Sequence, residues 1–400
     1  MGKRLVTAVL GLALLSTASV WAQGLYPLEY RQVTDPADPC AACARRYVQG
    51  PRTGADSARG DGDTGTAYYS VRVGSGELPI ALNASGVFVD TNGDGSLQGE
   101  DGLPLWRRES NGSYAVYRLG PVRAQVPGAA QGTIASFFVE VTRPQAGPAY
   151  VVLYPAGYWS GQALLGGHTR RIALVDGDYD GRYDRVFAPS ADPSSCDCLA
   201  MDLDGDGMLR PDDPRTLPEV MPLPRMIQVG GACYSVEAAP DGSAIRFTTV
   251  QPSLGTLDVG FPGADLTLLS DCGPFHLSGQ NGRWTLPEGG YQVQRLTLNQ
   301  ADGRGNTWTL RGAGDMGRLG TFSIQAGQVV PLKVGPPLTI RTTAQPAGAG
   351  VVLIGCIVAG QAGEEYVPGV AKDGRAQPAP KFRIVDERGN VGEQGSFEYG

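Results

Sequence analysis

The chain is predicted to be mostly β, with antiparallel sheets arranged as β-sandwich modules and little helix. Three observations carry that prediction. Short runs rich in Val, Tyr, Phe and Thr recur from Thr66 onward, many with period-two alternation. Gly and Pro, 58 and 30 of the 400 residues, fall between those runs, where turns need backbone angles other residues avoid. Beyond the N-terminus no stretch carries the spacing of an amphipathic helix. With 42% apolar residues the chain can still bury a core despite so many turn formers.

Residues 1–22 read as an export signal: Lys3 and Arg4 at the basic end, Leu5 to Leu15 as the apolar stretch, and Val20-Trp21-Ala22 as the small-residue exit. The apolar stretch is short for a membrane span, no Cys follows it, and no later run is long enough to span. The mature chain is therefore expected to be soluble and secreted, periplasmic or on the cell surface. Residues 23–65 read as an irregular Cys-containing segment. Its end, SARGDGDTG, holds an Arg59-Gly60-Asp61 triplet that reads as solvated linker rather than as an adhesive motif.

Residues 66–224 read as a β domain, from AYYSVRVG and LPIALNASGVFVD through SYAVYRLG, TIASFFVEVT, AYVVLYP and YWSGQALLGG to TRRIALVD. Gly166-Gly167 is predicted as a tight hairpin turn. Residues 225–345 read as a second, β-sandwich-like domain. There CYSVEAA and SAIRFTTV flank Pro240-Asp241-Gly242, in which Pro fixes φ and Gly admits a positive one. The run WTLPEGGYQVQRLTLNQADGRGNTWTLRG reads as paired strands around a Gly-rich turn. Residues 346–400, with GVVLIGCIVAG and KFRIVDERG, read as a C-terminal β segment or partial domain.

Three acidic loops interrupt this pattern, each directly after an apolar run: Val87-Phe88-Val89, Ile172-Ala173-Leu174-Val175 and Leu199-Ala200-Met201. Alternate residues of a tight turn can aim several oxygens at one point, and a hard cation such as calcium takes six to eight of them. The first loop offers Asp90, Asn92, Asp94, Ser96, Gln98 and Asp101, with Gly95 at the sharp turn. The second offers Asp176, Asp178, Asp180, the carbonyl of Arg182 and Asp184, around Gly181; its twelfth position is Phe187, so it is incomplete by itself. The third offers Asp202, Asp204, Asp206, the carbonyl of Met208 and Asp213, around Gly207; Arg210 cannot ligate. One copy would pass for an ordinary acidic turn; three with matching spacing point to calcium.

These loops resemble the EF-hand-like and dockerin-type calcium repeats of secreted bacterial proteins. The likeness implies a metal site and says nothing of a reaction. It departs from the family where a helix should precede each loop, because β-like runs stand there, and Gly102 and Pro214 oppose long exiting helices. A cohesin-type partner is not expected; the loops read as staples at strand ends. Separately, LPEGGYQV resembles a turn of carboxypeptidase-regulatory-like β-sandwiches.

A net charge of −7 argues against nucleic acid or anionic membrane as partner. Seven Cys suit an oxidising compartment, so structural disulfides are expected, with Cys196 and Cys198 reaching outward because a bridge between them would be strained. A zinc site from Cys40, Cys43, Cys196 and Cys198 is the alternative. His168 and His276 sit on presumed hairpin and strand positions, and no nucleophile elbow, zinc-protease motif or phosphate-binding loop occurs. Trp106, Trp159, Trp284 and Trp308 serve packing or a sugar-binding face. The expected function is a calcium-binding extracellular or surface protein whose loops rigidify a β-rich fold, without chemistry of its own. A calcium-dependent module for carbohydrate or a cell-surface partner is the alternative, and a secreted hydrolase with two hidden acids is the third.

Overall fold

The computed structural model describes residues 24–34, 38, 40, 44–48, 66–83, 86–103, 105–110, 113–129, 132–145, 149–190, 192, 195–209, 218–313, 319–346, 351–366 and 370–397, with 105–110 and 313 through their backbone alone. The export signal, Cys43, the Arg59-Gly60-Asp61 triplet, Arg210 and Asp213 lie outside them.

The regular structure of the protein is almost entirely β; helical assignment among the described residues is confined to the 3-10 turn Gln280–Gly282 and the single positions Cys40, Ser195 and Leu319. In chain order the first strands are β1 (Leu25–Pro27), β2 (Glu29–Gln32), β3 (Arg46–Val48), β4 (Ala67–Val73), β5 (Gly76–Leu82) and β6 (Val87–Val89). Next come β7 (Leu105–Ser110), β8 (Tyr114–Gln125), β9 (Ile134–Pro144), β10 (Tyr150–Pro155), β11 (Gly157–Leu165) and β12 (His168–Val175). Then follow β13 (Cys198–Met201), β14 (Val220–Pro222), β15 (Met226–Val229), β16 (Ala232–Ala238) and β17 (Ala244–Val250).

These strands make four sheets, in the orders β4-β5-β6, β3-β10-β9-β8-β7, β14-β13-β12-β11-β2 and β1-β17-β16-β15. Three successive cores join them as layers. Leu78, Ile80, Phe137 and Leu153 lie between the first and second sheets. Phe138, Val152, Tyr154, Val175 and Cys198 lie between the second and third. Ile172, Leu174, Leu199, Ile227 and Phe247 lie between the third and fourth. The two central sheets are therefore covered on both faces, which explains why YVVLYP, IALV and CLAM are continuous apolar runs rather than alternating ones. In β12, Ile172 and Leu174 point one way while Ala173 and Val175 point the other. Ala44, Ala156, Ala173 and Ala200 keep the central seam thin.

The segment read as irregular, residues 23–65, supplies three of these strands: β1 pairs with β17, β2 with β11, and β3 with β10. The core between the third and fourth sheets also runs across residue 224, since it joins Leu199 and Met201 to Ile227 and Phe247. Both foreseen turns form. Gly166 and Gly167 take φ of 61° and 81° between β11 and β12, and Gly242 takes 78° between β16 and β17.

Further along, strands from Leu254–Asp258 to Val370–Lys372 enclose another core around Leu257, Leu266, Leu268, Trp284, Tyr291 and Leu296. Arg283–Pro287 and Gly289–Ala301, on either side of the LPEGG turn, enter different sheets; the hairpin partner of Gly289–Ala301 is Thr307–Ala313. No helix among the described residues is long and apolar enough to cross a membrane.

The disulfide expectation fails for the described cysteines: no disulfide joins any two of Cys40, Cys196, Cys198, Cys233, Cys272 and Cys356. Cys196 and Cys198 do not reach outward either. Both are buried, Cys198 beside Cys40 in the central seam, where a protonated thiol packs as a small apolar group. Burial pushes the Cys40 thiol up to about 12, which suits packing rather than reactivity.

Candidate metal centres

Each acidic loop leaves the end of a strand: the first follows β6, the second β12 and the third β13. The three share one hydrogen-bond frame, dictated by their spacing. The leading carboxylate turns back on the loop and accepts two backbone N–H groups. Asp90 accepts from Gly93 and Gly95 at 2.7 and 2.8 Å, and Asp202 from Gly205 and Gly207 at 2.7 and 3.0 Å. Asp176 accepts from Asp180 and Gly181 at 3.1 and 2.9 Å. The third and fifth side chains each accept the N–H two residues on, as in Asn92 with Asp94, Asp94 with Ser96, Asp204 with Asp206 and Asp206 with Met208. The fourth and sixth positions need positive φ, hence Gly93 and Gly95, Gly205 and Gly207, and Gly181.

The second loop breaks this rule at its fourth position, where Tyr179 takes φ 58°. A bulky residue held there costs about 1–3 kcal/mol and persists when its surroundings over-determine it. They do: the Tyr179 ring is buried in the outermost core against Phe137, and its hydroxyl donates to the carbonyl of Ala44 at 2.7 Å. The same loop touches every layer. Gly74, in the turn after β4, donates its N–H to the carbonyl of Asp178. Arg46 on β3 donates from Nη2 to the carbonyl of Gly177, while Tyr183 donates its N–H to the carbonyl of Pro240 beyond β16.

The structure brings together two triads, Asp176 with Asp178 and Asp180, and Asp202 with Asp204 and Asp206. Each triad offers carboxylate oxygens all within 4.8 Å of one another, close enough to hold a metal ion. They differ in setting. Asp202 is buried but Asp204 and Asp206 are exposed, whereas Asp176, Asp178 and Asp180 are all buried. Burial and the neighbouring carboxylates push Asp176 well above the usual range and Asp178 up to about 6. In the first loop Asp90 is buried and Asn92 and Asp94 are exposed, so an amide stands where the others have a carboxylate. Ser96 caps the N–H of Gln98.

Of the other foreseen ligands, Asp101 and Gln98 are exposed, as is the side chain of Met208, and Asp184 pairs with the guanidinium of Arg182 at 3.0 and 2.7 Å. Acids that the loop spacing does not mark do the closing. In every loop the second residue's N–H is taken by a later carboxylate: Thr91 by Glu100 at 3.1 Å, Gly177 by Asp197 at 3.1 Å and Leu203 by Glu219 at 2.8 Å. Asp197 and Glu219 are buried. Burial, with Asp176 and Asp178 nearby, pushes Asp197 up to about 10 against the opposing pull of the Arg185 and Gly177 N–H groups.

The second triad also faces a cation of its own. Arg185 stands with Nη1 2.5 Å from Asp178 Oδ2 and Nη2 3.1 Å from Asp180 Oδ2. The Asp178 contact is one of charge, not a directed hydrogen bond, because no donor among the described residues is aligned on this buried oxygen. The Asp197 clamp works at close quarters, since a Cβ on Gly177 would lie 2.2 Å from the carbonyl oxygen of Cys196. Gly177→Ala is therefore expected to lower stability by about 1–3 kcal/mol through overpacking. Gly303→Ala, where a Cβ meets nothing, should melt as the parent does, and equal melts for both would dismiss the clamp.

No protein-family model, curated protein or solved structure matches the chain.

Proposed function

We propose that the protein binds calcium through its acidic loops and that the ions rigidify an exported β-rich structure. The supporting observation is the second triad: three buried carboxylates on one turn, faced by a single guanidinium, that of Arg185. One positive charge offsets only part of three buried negative ones, and the remainder is costly unless a further cation compensates it. The donor set is all oxygen, which suits a hard ion rather than zinc. Calcium tolerates the irregular geometry of carboxylates and carbonyls better than magnesium, which holds out for a near-ideal octahedron. An export signal at residues 1–22 would deliver the chain to a calcium-rich compartment, where sites of about 0.1–1 mM affinity suffice. This reading assigns the chain no reaction.

Calorimetric titration of the mature chain with calcium tests it. Saturable binding is expected, with one site lost in Asp176→Asn and another in Asp206→Asn. A flat titration at millimolar calcium removes the proposal.

A further inference from the structure

A cavity of about 520 Å³ opens beside the second triad and is lined by Arg45, Arg46, Arg72 and Arg185. Four guanidiniums in one recess are a strongly cationic wall for a chain whose net charge is −7. Arg46 is locked: Nη1 donates to the carbonyl of Arg72, Nη2 to that of Gly177 at 3.2 Å, and its guanidinium lies 5.5 Å from the Tyr179 ring centre. Arg45 lies over Tyr154 and donates to the hydroxyl of Tyr47, a ring 70% exposed at the rim. Arg72 is exposed on β4, across from Glu77. Against these stand Asp178, Glu77 and Asp192, and Asp178 is the one that Arg185 contacts.

We propose that this cavity binds a carboxylate-bearing saccharide, and that a calcium ion in the second loop makes it competent by displacing Arg185. The proposal rests on calcium occupying that loop. Calcium and the Arg185 guanidinium compete for the same oxygens of Asp178 and Asp180, and the divalent ion carries twice the charge. Arg185 already lines the cavity and its side chain is 45% exposed, so displacement leaves it in place to meet a ligand. The exchange changes the cavity in two ways together: Asp178 is neutralised and a guanidinium fork is freed. Such forks match a planar carboxylate in bidentate fashion. The Tyr47 ring offers an apolar face to a sugar ring, and the Ser70 and Ser195 hydroxyls, which donate to Glu77 and to the carbonyl of Asp192, keep lone pairs to accept from its hydroxyls. The volume lies within the usual range for small-ligand sites.

Two readouts on the mature chain test this separately from the calcium reading. Terbium luminescence excited through tyrosine reports the second loop, which contains Tyr179 and Tyr183, whereas residues 90–101 and 202–208 contain no Tyr or Trp. Calorimetry with digalacturonate reports the cavity. Digalacturonate is expected to bind in calcium at least tenfold more tightly than in EGTA, and its neutral galactose counterpart not to bind. By reciprocity the acid should tighten metal binding by the same factor. Arg185→Gln should tighten terbium binding, because the competitor is gone, and weaken digalacturonate about tenfold. Arg72→Gln should weaken digalacturonate, with the terbium signal kept as the check that the loop is intact. An empty second loop in the terbium assay would defeat the calcium reading and this proposal with it. A filled loop with no calcium-dependent gain for the acid would overturn this proposal alone, as would equal binding of the neutral sugar or unchanged terbium affinity in Arg185→Gln.

Discussion

In millimolar calcium the protein is expected to melt well above its temperature in EGTA. A site of about 0.1 mM affinity at about 1 mM free ion stabilises by roughly 1.4 kcal/mol. For a domain of this size each kcal/mol moves the melting temperature by about 2–4 °C, so three filled loops should give a gain of roughly 8–17 °C. The second loop should dominate, because there the ion also relieves repulsion among buried carboxylates that exposed Asp204 and Asp206 do not suffer. Asp176→Asn should lose that share of the gain and retain the rest. Differential scanning calorimetry in the two buffers decides the matter, and superimposable melts would end the stapling idea.

The pH dependence of stability is expected to reverse between the two buffers. Without metal, Asp178 titrates near 6 and Asp197 near 10 in the folded chain, while an unfolded Asp titrates at about 3.9. Between those values the folded state holds protons that the unfolded state has released. The stability this contributes is fully present below about pH 3.9 and is lost as pH rises through the folded values. In EGTA the melting temperature should therefore climb by several degrees as pH falls from 8 to 5. With calcium the carboxylates must be ionised to ligate, so acid weakens binding and the calcium gain should shrink over the same range. The two melting curves should lie farthest apart near pH 8 and converge near pH 5. Parallel curves would mean that these carboxylates are not where the ion sits.

The sequence shows the loops well because their geometry is local. Alternate acids and a Gly at the sixth position follow from the turn itself, and Asp90, Asp176 and Asp202 share one hydrogen-bond frame. The closing acids are not local. Asp197 meets Gly177 across 20 residues and Glu219 meets Leu203 across 16, both brought together by strand pairing rather than spacing. In the first loop the closing acid is Glu100, next to the Asp101 that counting selects. A Glu at the loop's end was the available signal, displaced by one residue. Arg185 was hidden for a related reason, since nothing in its neighbourhood marks it as facing Asp178 and Asp180.

The strands were legible where one face is buried and ambiguous where both are. Alternation identified AYYSVRV, but IALV and CLAM gave no hint that each serves two cores, one on either side. Short strands such as Leu25–Pro27 and Arg46–Val48 carry too few residues to show any period and take their structure from the partner strand. The cysteines are expected in disulfides, but Cys198 fills part of the small apolar volume between two tightly packed sheets, and Cys196 is buried two residues before it.

One short turn, residues 176–183, is gripped by Gly74, Arg46, Asp197 and Pro240, and so behaves as a rivet driven through a laminate. A load applied to either outer ply reaches the opposite one through that turn. Whatever loosens it, whether a lost ion or a misplaced side chain, is then felt as delamination of the whole stack and not as fraying at one edge.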